Sequence, residues 1–202
     1  ITLNGWDINA NPNVDFMVAD IAKNKRGNED NYAYNGVPTL FRHKLARVSV
    51  KAKLDDAYEN KTINLTSVEL TNIKTKGNYV NNNWMGQGAP ENIQVYNDAS
   101  GLLLNKDAAI EIGTQKRIVM PQALAQDAYF KIKYNLTTTI AGGGTDTQLI
   151  EKDILIKNVT PAWYTNNDIT YTLIISLGTN YIEFDTSVTD WVGYGNMDLT
   201  IE

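Results

Sequence analysis

The 202-residue chain reads as an all-β protein of sandwiched sheets. In several separate runs its apolar residues recur at every second position, the period of a strand with one buried face. Thr and Asn make up about a fifth of the residues, a bias that suits strands and turns. No helical segment separates the runs, so a sandwich or barrel is expected in place of a βαβ sheet. At 43% hydrophobic residues, the chain has the apolar material for a sizeable core.

Ile1-Thr2-Leu3 already alternates as a strand, and Trp6 follows it. After an Asn-rich turn over Asn9 to Asn13, the segment Val14 to Ala19 fits a buried strand or a helical turn, with strand the expectation. Lys23 to Asn35 is a polar loop leading to Val37 and a second strand system. There Phe41, His43 and Leu45 share one parity, whereas Val48, Val50, Ala52 and Leu54 share the other. A bulge near Ala46-Arg47 would keep both sets facing inward. The same slip recurs between Ile63, Leu65 and Val68, Leu70. Thr75 to Asn105 reads as loop, punctuated by Asn81 to Asn83, Gly86, Gly88 and Pro90.

Order resumes at Lys116 to Gln122, and then Phe130, Ile132, Tyr134 and Leu136 alternate against Lys131, Lys133 and Asn135. Gly142-Gly143-Gly144 makes the tip of a hairpin whose return strand lies in Gln148 to Val159. A last hairpin runs from Ile169 to Trp191. Ile169, Tyr171, Leu173, Ile175 and Leu177 share a face, Gly178-Thr179-Asn180 turns, and Ile182, Phe184 and Val188 face inward on the way back. Two β-domains are expected, 1–112 and 113–202, with one elongated sandwich as the alternative.

The net charge of −5, without a basic tail, argues against nucleic acid, whose binding needs clustered Lys and Arg. Zero cysteines exclude disulfides and thiolate metal sites. The one histidine, His43, has no Cys, Ser or carboxylate near it in sequence. It is expected as a buried imidazole hydrogen-bonded to backbone, not as part of a triad or a metal site. Glu29-Asp30 and Asp55-Asp56 fall in turns, Asn97 to Gly101 suits an Asx turn better than a calcium loop, and Gly142 to Gly144 lacks the Lys of a phosphate loop. Arg47, Lys51 and Lys53 read as the solvent side of a strand. No catalytic residue, cofactor or metal is therefore expected. Tyr79, Trp84 and Tyr96 stand among amide side chains and are candidate glycan- or host-ligand-binding aromatics, since rings stack on sugars while amides bond their hydroxyls.

Four pieces in order carry a resemblance: Asp15-Phe16-Met17-Val18-Ala19, Phe41 through Val48, Met120-Pro121-Gln122, and Tyr171 through Trp191. Together they resemble the fimbrillins of Bacteroides-type bacteria. The resemblance implies a surface lipoprotein precursor of two transthyretin-like β-sandwich domains. It implies a non-enzymatic fimbrial subunit on the extracellular side of the outer membrane, held there by a lipid anchor on the precursor. Its partners would be other fimbrial subunits, joined head-to-tail by β-strand complementation, together with surface glycans or proteins as adhesion targets. The family's lipoprotein cysteine and earlier N-terminal strands do not stand ahead of Ile1, so the first domain is expected to be short of strands. At the other end Met197, Leu199 and Ile201 share a face, which suits a donor strand and an ordinary last strand equally.

Overall fold

The computed structural model describes residues 1–20, 40–85, 87–177 and 182–191. Its centre is two four-stranded sheets. The first contains β4 (Ala46–Leu54), β9 (Ile110–Val119), β14 (Asn167–Ile175) and β15 (Ile182–Asp190), in the order β15-β14-β4-β9. The second contains β5 (Lys61–Lys74), β8 (Pro90–Leu103), β11 (Tyr129–Thr139) and β12 (Thr145–Leu155), in the order β12-β11-β5-β8. The second sheet is antiparallel throughout. In the first, β14 is antiparallel to β15 but parallel to β4.

The inner faces are set by the alternation. Val48, Val50 and Ala52 of β4 and Ile169, Tyr171, Leu173 and Ile175 of β14 are all at most 1% exposed, as are Leu65, Val68 and Leu70 of β5 and Phe130 and Ile132 of β11. They form one continuous core. Phe130 meets Tyr171 edge-on across the two sheets at 5.2 Å. The Tyr171 hydroxyl accepts the indole N–H of Trp163 at 2.8 Å, so the one polar atom of this deep ring has a partner. Each such aliphatic side chain contributes about 1.5–3 kcal/mol through its removal from water.

Three smaller sheets close the sandwich. β1 (Thr2–Asp7), β6 (Lys76–Val80) and β7 (Asn83–Met85) form one, β2 (Met17–Ala19) and β3 (Phe41–His43) another, and β10 (Gln122–Ala123) and β13 (Ala162–Trp163) the third. The strand expected over Val14 to Ala19 thus shortens to β2. The phase change expected as a bulge near Ala46 is instead a break between β3 and β4, across which His43, Leu45 and Ala46 are all buried. The slip in β5 is a true bulge, with register shifts against both β8 and β11 near Ser67.

The largest difference from expectation is Thr75 to Asn105. Its sequence reads as loop, yet it contains β6, β7 and the 14-residue β8. Asn81 and Asn82, which have the composition of a loop, are the two left-handed residues of a tight hairpin turn, φ 48° and 67°. Along β8 only Ile93 and Val95 are buried, so an edge strand exposed over most of its length carries little alternation to read. On β15, Val188 stays opposite Ile169 but is 50% exposed, because it lies toward the end of an edge strand.

The expected division between residues 112 and 113 falls inside β9, whose Ile112 is buried in the shared core. Each large sheet also combines strands from both sides of that point. Fragments 1–112 and 113–202, made separately, should lack a cooperative thermal transition by circular dichroism and gain one on co-expression. A sharp transition in 113–202 alone would restore the two-domain division.

Candidate functional site: the clamped end of β15 and the open sheet edges

Trp191, directly after β15, is where the sequence pattern and the structure converge. Its ring is 8% exposed and stacks on His43 at 3.9 Å with a 7° interplanar angle. The Arg47 guanidinium also lies over it, 4.9 Å from the ring centroid. The backbone adds a second hold. Asn166, left-handed at φ 67°, donates its N–H to the Leu45 carbonyl (2.9 Å), and its carbonyl accepts the Trp191 N–H (2.7 Å). One residue therefore ties the approach to β4 to the exit of β15.

His43 is buried, as expected, but its partner is a carboxylate and not the backbone. Nδ1 lies 2.6 Å from Asp15 Oδ2, on the segment entering β2. The 28 positions that separate the two residues hide this pair from any search among near neighbours in sequence. His43 Nε2 and Asp15 Oδ1 are both buried without a hydrogen-bond partner among the described residues. Beyond Trp191 the charges are paired: Asp168 Oδ2 accepts from Arg47 at 2.7 Å and from Lys116 at 2.9 Å. Burial would raise the Asp168 carboxyl, but hydrogen bonds from Arg47 and Lys116 outweigh it and hold the group below the usual carboxylate range. Arg47, expected on the solvent side, is thus committed to Asp168 and Trp191.

The three candidate ligand aromatics are not assembled into a platform. Tyr79 is 1% exposed, meets Phe16 and Trp84 edge-on at 5.0 and 5.3 Å, and bonds Asn82 through its hydroxyl. No face of its ring is open to a sugar. Trp84 is partly buried in the same cluster and donates its indole N–H to the Lys44 carbonyl. Tyr96 sits on β8, opposite Val68, in another sheet. Trp6 and Phe16 complete the aromatic cluster, and sequence does not mark them as a group because their neighbours come from distant strands.

What remains open is backbone. Among the described residues no strand pairs with the outer edges of β15 and β12. Such edges present rows of N–H and C=O groups that another strand can bond. The candidate donor residues Met197, Leu199 and Ile201, and the turn expected at Gly178 to Asn180, lie outside the described residues.

Fold and site together define an all-β sandwich whose outer edges are unpaired among the described residues, with a clamped exit from its last described strand. The chain belongs to the fimbrillin-like family, whose model it matches over residues 6–191. Among solved structures it is similar to a fimbrial protein from Bacteroides vulgatus, with 17% identity and a TM-score of 0.64 over 83% of this chain and 60% of that one. It is also similar to a candidate cell adhesion protein from Bacteroides uniformis, with 20% identity and a TM-score of 0.54 over 95% of this chain and 66% of that one. The chain thus spans less than two thirds of either protein's length. No curated protein matches it.

The ion-pair triad makes a pH prediction. A carboxyl held low in the fold adds stability above its unfolded pKa of about 4, and that stability is lost as pH falls through the lower folded value. The urea midpoint of the unmodified protein should therefore fall more steeply between about pH 5 and pH 3 than that of Asp168→Asn. Parallel curves would show that Arg47 and Lys116 do not stabilise the Asp168 anion.

Proposed function

We propose that the protein is a structural or adhesive subunit of a bacterial surface fimbria, assembled head-to-tail by β-strand complementation. The family match over residues 6–191 carries this reading. In it the sandwich serves as one transthyretin-like unit, displayed on the extracellular side of the outer membrane after export of a lipid-anchored precursor. Its partners are other fimbrial subunits, and its role is mechanical, without a catalytic step.

The open edges support the assembly mode on physical grounds. A donated strand satisfies an edge's backbone groups, and its alternate side chains cover apolar surface at the rim of the core. The edge of β15 suits an acceptor, because Val188 on its inner face is half exposed and Phe184 only partly buried. The donor in this proposal is the segment carrying Met197, Leu199 and Ile201 on one face. Since donor and acceptor are different surfaces, the contact is heterologous and grows as an open filament.

Electron microscopy of the assembled native material should show filaments, and Leu199→Asp combined with Ile201→Asp should leave monomers. Normal filaments from the double variant would remove the donor assignment. Monomers alone from the unmodified protein, under conditions where fimbriae assemble, would overturn the fimbrial reading itself.

A further inference from the structure

Where the two large sheets meet at β8 and β9, the inner side of the sandwich carries an unexpected charge. Arg117 on β9 pairs in register with Val48, which is 1% exposed. Cross-strand partners project to the same side of a sheet, so Arg117 faces the inner side. It is half-buried there, and no described residue gives its guanidinium an ion pair or a hydrogen bond.

The backbone explains how a cation comes to that position. Between Val48 and Val50 the register of β9 jumps from Arg117 to Ile112, so several extra residues bulge out of the ladder. Within the bulge Gly113 is left-handed at φ +82°, and a Cβ there would lie 3.0 Å from the Val95 carbonyl of β8. The bulge thus brings the two edge strands together while re-aiming the side chains on its C-terminal side, a use bulges commonly serve beside binding sites. Against this seam, the loop after β1 closes a cleft of about 150 Å³.

We propose that this cleft binds the carboxylate of an acidic sugar ring, such as a uronate, with Arg117 as the anion receptor. The guanidinium is a planar fork that matches a carboxylate with two parallel hydrogen bonds, and a single cation suits a monoanion. Asn9 and Gln94 also line the cleft. Their amide nitrogens are engaged within the protein, Asn9 with Glu91 and Gln94 with Ser67, Val68 and Tyr96. That leaves the Asn9 carbonyl oxygen as an acceptor for a ring hydroxyl. Glu91 does not compete for Arg117, because it is held by Lys76, Thr75 and Asn9. Pro12, Ile8 and Ile93 supply the apolar wall that the C–H face of a pyranose needs. The volume is below the roughly 300 Å³ at which pockets enclosing larger ligands begin, which fits one terminal ring and not an oligosaccharide.

The chain's net charge of −5 gives no long-range attraction for anions, so binding rests on these local contacts. Glucuronate titrated into ¹⁵N-labelled protein should bind with a dissociation constant on the order of 1 mM. It should shift the Arg117 side-chain resonance and the amides of Asn13, Gln94 and Ile118. Glucose, acetate and inorganic phosphate should each bind at least about tenfold more weakly, and Arg117→Ala should lose about tenfold or more while Arg117→Lys loses less. Acetate or phosphate binding as well as glucuronate would overturn the sugar assignment. Absence of binding, or shifts confined to other surfaces, would overturn the site even if the Arg117 variants failed to fold. The result is independent of filament formation, so it separates from the fimbrial reading.

Discussion

The parallel pairing of β4 with β14 is the constraint on which the rest of the structure depends. These strands are neighbours in register from Arg47 opposite Asp168 to Leu54 opposite Ile175, yet more than a hundred residues separate them in sequence. A parallel partner cannot be reached by a tight turn, so the chain leaves β4, builds all four strands of the opposing sheet and returns. The facing sheet is therefore laid down inside the crossover. Tyr171 and Phe130 then meet across the gap, and the two sheets share one core.

Much else depends on this closure. With β4 and β14 at the centre of one sheet, its edges fall to β9 and β15, and those are the elements to which interaction is assigned. The clamp on Trp191 fixes where the chain leaves β15, through the Asn166 backbone and the His43 and Arg47 side chains. The bulge in β9 puts Arg117 at the opposite edge. A strand-mediated contact and a small-ligand cleft can thus occupy opposite edges of one sheet without sharing residues.

Local pattern makes the central strands legible. β11 and β14 alternate cleanly because both lie between two neighbours and bury one face, and the bulge in β5 is visible as a phase slip. Pattern fails at edges and across distance. β8 is largely exposed and has the texture of a loop, and the Asn81-Asn82 turn is lost in a polar stretch. The site is less legible than the fold. Resemblance marks the segments that hold Asp15, His43 and Trp191, but the pairing of Asp15 with His43, and of Asp168 with Arg47 and Lys116, exists only after folding. Tyr79 misleads because an aromatic beside amides has the same sequence signature whether its ring packs inward or faces solvent.

If β4 and β14 close a single sandwich, native-state hydrogen exchange should find one opening energy for the slowest amides of β4, β5, β11 and β14, equal to that of global unfolding. Exchange of β14 and β15 as a unit at distinctly lower energy than β5 and β11 would contradict a single closed core.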